Sequence, residues 1–188
     1  MIEKMDVYFA SPQDLKLFQS VVDQSPRLKE VHFNACTCEF KEGYDDIRPG
    51  FLKLQQQLLR TCHQSLQTIC FTEIEECGVA ELSHPALINV SKLSMSTYAD
   101  TFKKYWSSII SIDYDRRMPK LKEVKLETRL PPRSSDAWYT EQSDPEWSIK
   151  GRVNGSSSSV KKLSLEFDMA ALKINLLKPV FPNVTIMQ

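Results

Sequence analysis

The sequence predicts an α/β fold, a solenoid with short parallel strands on a concave face and helices on the convex face. Two positive observations carry this prediction. The pattern apolar-x-x-apolar-x-apolar recurs at seven places along the 188 residues, and helix-start signals with helix-spaced apolar residues fall between its occurrences. A third observation removes the main competitor. The chain has only five Gly and no Gly-x-Gly-x-x-Gly, so it lacks the phosphate loop that a doubly wound sheet places at its switch point.

The matches are Ile2/Met5/Val7, Leu28/Val31/Phe33, Leu66/Ile69/Phe71, Val90/Leu93/Met95, Leu121/Val124/Leu126, Val160/Leu163/Leu165 and Val184/Met187. Their first positions lie 26, 38, 24, 31, 39 and 24 residues apart. Side chains alternate across a strand, so the second and third apolar residues of each match share one face. Between the first two matches, Ser11-Pro-Gln-Asp14 reads as a capping box with Pro at the first helical position, leading into Leu15, Phe18, Val21 and Val22 and ending at Ser25-Pro26. Pro49-Gly-Phe51 opens a second helix carrying Leu52, Leu54, Leu58 and Leu59. Residues 72–85 have room for about one helical turn near Val79 to Leu82. Thr97-Tyr-Ala-Asp100 reads as another capping box before Phe102, Trp106, Ile109 and Ile110, and Asp168 as the cap of a helix over Met169 to Lys178.

Strand and helix therefore alternate, and each crossover returns the chain in the same direction, so the sheet is expected to be parallel. Units of this length with Leu-x-x-Leu-x-Leu strands resemble the leucine-rich repeat family. Cys36 stands where that family's ninth repeat position carries Asn or Cys; the corresponding Ala10, Ile74, Tyr98, Arg129 and Asp168 depart from it. Ser25-Pro-Arg-Leu-Lys-Glu-Val31, Met118-Pro-Lys-Leu-Lys-Glu-Val124 and Phe181-Pro-Asn-Val-Thr185 resemble the irregular repeats carried behind an F-box in ubiquitin-ligase substrate receptors. The F-box itself is absent. The resemblance implies a single irregular repeat domain over residues 1–188, of about seven units.

Residues 130–159 interrupt the pattern with Pro131-Pro132, Asp144-Pro145, Gly151, Gly155 and many serines. They read as a loop inserted in the solenoid, mobile around Asn154 to Ser159. Trp138, Tyr139 and Trp147 lie there among Asp136, Glu141, Asp144 and Glu146, either as a docking segment or as aromatics pinning the loop to the solenoid edge.

The 24 Lys+Arg balance the 24 Asp+Glu, which argues against a general nucleic-acid or anionic-membrane binder. No apolar run approaches the roughly 20 residues of a membrane span, and Met1 to Val7 does not read as a signal peptide. Cys36, Cys38, Cys62, Cys70 and Cys77 are an odd set, expected as reduced thiols in the cytoplasm or nucleus. The sequons at Asn89, Asn154 and Asn183 read as chance matches.

The chemistry is sparse. Cys36 and Cys38 are one residue apart, which puts strand side chains on opposite faces and disfavours a zinc knuckle with Cys62, His63 or Cys77. His32 and Cys70 hold the same position in neighbouring units, but no nucleophile elbow or oxyanion loop accompanies them. Glu75-Glu76, Asp45-Asp46 and Asp113/Asp115 read as solvated turns or helix ends. No catalytic residue, metal or cofactor is expected.

What remains is the concave face, formed by the strand residues that point away from the core. Its ladders run Lys4, Glu30, Thr68, Lys92, Glu123, Lys162; then Asp6, His32, Cys70, Ser94, Lys125, Ser164, Gln188; then Tyr8, Asn34, Thr72, Ser96, Glu127, Glu166. Opposite charges neighbour one another in the first ladder, and the centre is small and neutral. The expected function is a non-enzymatic protein-interaction module binding a protein substrate or adaptor. Its candidate residues are Asp6, Tyr8, Glu30, His32, Asn34, Cys70, Lys92, Glu123, Lys125, Glu127, Lys162 and Glu166. The F-box resemblance implies the substrate-recognition part of a ubiquitin ligase. Alternatives are an incomplete or purely structural repeat fragment, and a cysteine-dependent enzyme using Cys70 and His32. Neither end carries a visible cap, so self-association through open sheet edges is also expected.

Overall fold

The computed structural model describes residues 3–9, 11–24, 27–35, 44–72, 86–98, 109, 112–129, 157–166 and 180–187. Their elements, in chain order, are β1 (Lys4–Phe9), α1 (Pro12–Asp23), β2 (Glu30–Ala35), α2 (Tyr44–Cys62), β3 (Thr68–Thr72), β4 (Lys92–Tyr98), α3 (Tyr114–Arg117), β5 (Glu123–Arg129), β6 (Lys162–Glu166) and β7 (Thr185–Met187). All seven strands form one sheet in the order of the sequence. Each neighbouring pair is parallel. The fold is thus α/β with an all-parallel sheet.

The alternation of side chains explains the core. Val7, Val31, Phe33, Ile69, Phe71, Leu93, Met95, Val124, Leu126, Leu163 and Leu165 come from alternate strand positions and are all buried. Phe18 and Val22 of α1 and Phe51, Leu54, Leu58, Leu59 and Cys62 of α2 join them in one continuous cluster. Leu28, Leu66, Val90, Leu121 and Val160, the first apolar residues of five successive units, are completely buried. Three residues before Val90, Leu121, Val160 and Val184 stands a further anchor that the apolar pattern does not contain: Leu87, Met118, Ser157 and Phe181, all buried.

Register is set just before each strand. Glu3 O accepts the N–H groups of both Lys29 and Glu30, at 2.8 and 3.0 Å. The same pair of bonds recurs from Gln67 and Thr68 to Lys29 O, from Ser91 and Lys92 to Gln67 O, from Lys122 and Glu123 to Ser91 O, and from Lys161 and Lys162 to Lys122 O. One carbonyl with two lone pairs thus receives two consecutive donors from the next unit, five times over. Asparagines add a second link at equivalent places: Asn89 Nδ2 donates to Gln64 O at 2.6 Å and Asn183 Nδ2 to Ser158 O at 3.2 Å. Two of the three sequons are therefore repeat structure.

The first helix forms as its capping box predicts. Ser11 Oγ accepts from Asp14 N at 3.3 Å, Pro12 opens the helix and Gln24 closes it. The second begins earlier than its proline suggests: α2 starts at Tyr44 and holds Pro49 inside. Gly50 follows it against α1, where a Cβ would lie 2.9 Å from Leu15 Cδ2. At its other end Cys62 O accepts from Ser65 N and Leu66 N, turning the chain into β3. Asp113 caps α3 by accepting from Arg116 N at 3.1 Å. Tyr114 is wholly buried, donates to Ile109 O at 2.9 Å and packs its ring on Phe181 at 5.3 Å.

Three further expectations need correction. Thr97 and Tyr98 belong to β4, paired with Thr128 and Arg129, so Thr97 is not a helix cap. Ser157 to Ser159 are not part of a mobile loop. Ser157 is buried and its N–H donates to Val180 O at 2.7 Å, which makes these residues the lead-in to β6. The last strand is also shifted by one residue, with Ile186 opposite Leu163 and Met187 opposite Ser164. Two residues separate Leu121 from Val124, but only Thr185 separates Val184 from Ile186. Accordingly one N–H, that of Thr185, reaches Lys161 O where earlier units offer two. The remaining loop segment (130–156), the helices expected near 79–82 and 169–178, and Cys36, Cys38 and Cys77 lie outside the described residues.

Phe33 is the hub of the larger end of the core. Its ring stacks on Phe71 at 5.4 Å and meets Phe51 and Phe18 at 6.3 and 6.5 Å. Truncating it removes aromatic contacts to a strand and two helices at once. Phe33→Ala is expected to cost about 3–5 kcal/mol, read as a lowered urea midpoint; a loss below about 1 kcal/mol would contradict this packing.

Candidate functional site

The strand residues on the face away from the core supply the candidate site. The pairing places Lys4, Glu30, Thr68, Lys92, Glu123 and Lys162 on one continuous rung line, extended by Thr185. The second line is Asp6, His32, Cys70, Ser94, Lys125, Ser164 and, in place of the expected Gln188, Met187. The third runs Tyr8, Asn34, Thr72, Ser96, Glu127 and Glu166. The twelve candidate residues therefore lie on these three lines. They do not converge on one point, because the sheet spreads them across six strands.

Charge on this face is paired locally. At the β1–β2 end, Lys4 Nζ lies 3.1 Å from Glu30 Oε1. His32 sits between two carboxylates, with Nδ1 3.0 Å from Asp6 Oδ1 and Nε2 2.7 Å from Glu30 Oε1. At the other end, Glu123 Oε1 lies between Lys162 Nζ at 3.1 Å and Lys92 Nζ at 3.7 Å. Lys125 and Glu127 pair along their own strand at 3.2 Å. Exposed pairs of this kind fix geometry more than they add stability.

Between these clusters stand Thr68, Cys70 and Thr72 of β3 and Ser94 and Ser96 of β4. Ser96 is buried although it points away from the core, and its hydroxyl has no hydrogen-bond partner among the described residues. Tyr8, 68% exposed, is the large apolar group at the β1 edge.

The Cys70–His32 pair is adjacent across β2 and β3. Burial, and then the negative charge of Glu30, push the Cys70 thiol up, although Lys92, Ser94 and Lys4 act the other way. Both ring nitrogens of His32 are already taken by carboxylates. Cys62 is a core residue whose thiol is likewise raised by burial, and His63 Nδ1 lies 2.7 Å from Arg60 O at the end of α2. Among the described residues, no group of three or more His, Cys, Asp or Glu could hold a metal ion, and no helix is long and apolar enough to cross a membrane.

Outside the predicted set lies a rim where the strands begin, made by the residues just before and just after each first apolar position. Arg27, Lys29, Gln64, Ser65, Gln67, Asn89 and Ser91 border a recess of about 400 Å³ there. The signal was in the sequence: Lys29, Lys122 and Lys161 hold the same position in three units.

No protein-family model matches the chain, and neither the curated proteins nor the solved structures contain a significant match to it.

Two expectations follow for this face. The hydrogen bond from Lys4 holds the Glu30 carboxyl below its usual range, and Glu30 in turn holds the Lys4 ammonium above its own. A depressed carboxylate contributes stability above its unfolded value and loses it as pH falls through the folded one; a raised lysine does so below its unfolded value and loses it as pH rises through the folded one. The pair thus contributes across neutral pH. Glu30→Gln is expected to lower the melting temperature at about pH 7 and to make no difference at about pH 3; an equal deficit at both would contradict the pairing. The second concerns Cys70. Its alkylation by iodoacetamide at neutral pH is expected to be slower in the folded chain than in urea, since thiolate supply controls the rate, and mass spectrometry of the Cys70 peptide reads it directly; equal or faster alkylation of the folded chain would contradict the raised thiol.

Proposed function

We propose that the chain is a non-enzymatic protein-interaction module of the leucine-rich-repeat kind, a solenoid whose outward strand face forms the concave binding surface. The observation that carries this reading is the face itself. Equivalent residues of successive units form continuous rung lines, and small neutral side chains occupy the middle between two ion-paired clusters. Small residues let a partner backbone approach closely, while the paired charges at either side offer hydrogen-bonding groups already held in place. In this reading the protein presents a bound substrate or adaptor to machinery carried elsewhere, and the resemblance of the Met118 and Phe181 segments to repeats behind an F-box makes a ubiquitin ligase the favoured assembly. The outer edges of β1 and β7, which pair with no further strand among the described residues, would give a route to self-association.

A photo-crosslinking residue in place of Ser94 tests the binding face in living cells. The expected result is a discrete protein adduct, absent when the same residue replaces the exposed Leu17 of α1 and weakened roughly tenfold by Thr68→Arg, a change of about 1.4 kcal/mol. Adducts of equal yield from both positions, or none, would overturn the reading. If the assembly is a ubiquitin ligase, depleting the chain lengthens the half-life of the captured protein; an unchanged half-life removes the ligase and leaves the binding face.

A further inference from the structure

The rim at the strand starts carries a charge pattern that the balanced composition conceals. Lys29, Lys122 and Lys161 directly follow the first apolar residue of their units, Arg27 and Lys120 directly precede it, and all five are exposed. Among the described residues of these two rows the one carboxylate is Glu3, held by Lys29 at 2.6 Å. Lys120 and Lys161 touch only neutral oxygens, Asn89 Oδ1 at 2.7 Å and Ser158 O at 3.4 Å. Arg27 and Lys122 meet no carboxylate among the described residues. Asp115 accepts the Ser158 N–H at 3.1 and 3.3 Å.

We propose that this rim binds an acidic segment of a partner protein in extended conformation, with one acidic side chain seated in the recess beside Arg27. Units stand about 4.8 Å apart, so the four steps from Lys29 to Lys161 span about 19 Å, the length of about six extended residues. Beside Arg27 and Lys29 the recess is lined by the side-chain amides of Gln64 and Gln67, whose N–H groups suit a carboxylate. A nucleic-acid strand fits less well. Neither row contains an aromatic side chain on which a base could stack, and the chain as a whole has no basic excess. The rim is separate from the outward strand face, so the two surfaces can hold different parts of one partner.

The test is fluorescence anisotropy with a labelled hexaglutamate peptide. Saturable binding is expected at low salt, weakening as salt rises. The triple change Arg27→Gln, Lys122→Gln and Lys161→Gln is expected to weaken it at least tenfold without altering the melting temperature, about 1.4 kcal/mol or more. The charge-matched change Lys16→Gln, Lys53→Gln and Arg60→Gln on α1 and α2 is expected to leave it intact. Absence of saturable binding, equal loss in both variants, full retention by the rim variant, or tighter binding of a six-nucleotide single strand would each overturn the proposal. None of these outcomes bears on crosslinking from Ser94, so failure here is distinguishable from failure of the outward face.

Discussion

The rest of the structure hangs on one backbone device: a single carbonyl before each strand that accepts two consecutive N–H groups from the following unit. Parallel strands have evenly spaced, slanted hydrogen bonds that by themselves allow neighbouring registers. Doubling the bond at the start of the strand removes that freedom. Glu3, Lys29, Gln67, Ser91 and Lys122 all serve in this way, so the crossovers between them can vary from 24 to 39 residues while the strands stay aligned. Alignment in turn decides what each face shows, because a slip of one residue would exchange core and outward side chains.

The core answers to the same device. The residue immediately before each doubled bond is the completely buried Leu28, Leu66, Val90, Leu121 or Val160, so the backbone link and the apolar plug fix one point together. Three residues upstream the anchor is free to differ, from Leu87 and Met118 to Ser157 and Phe181, and it tracks the local volume: Phe181 fills space beside the buried ring of Tyr114. At the other end, α1 and α2 bring Phe18 and Phe51 onto Phe33. The sheet is thus a uniform backbone scaffold filled by different side chains at its two ends.

This division explains what could be read from sequence. Strand positions and five of the six registers were legible, because a one-residue slip would expose the core face and the first apolar residue of each apolar-x-x-apolar-x-apolar match marks where the strand begins. The sixth was not. Losing one residue between Val184 and Ile186 leaves the apolar spacing plausible in either register, and the difference is settled by a backbone bond that composition does not encode. The start of α2 was hidden by Pro49, a residue more often found at a helix start than inside one. Thr97 was misread because a Thr-x-x-Asp pattern has the same letters at a strand end as at a helix start. On the site, the rung lines and their opposite charges were legible, but the burial of Ser96 was not, since it depends on its neighbours across the sheet. The basic rim escaped because a net charge of zero says nothing about where the charges lie.

The two surfaces differ in the physics they offer a partner. On the outward face the described charges are paired locally: Glu30 with Lys4, Glu123 with Lys92 and Lys162, and Lys125 with Glu127. Such a face exerts little long-range field, so recognition there rests on shape and on hydrogen bonds made at contact. The rim is the reverse, with exposed cations whose nearby acids are already engaged, and a field of that kind acts at a distance and raises encounter rates. A partner drawn to the rim by an acidic segment would meet the neighbouring face at high effective concentration, so modest contacts there suffice for stable capture. In the proposed arrangement steering and specificity would fall to different rows of residues, one at the start of each strand and one along it.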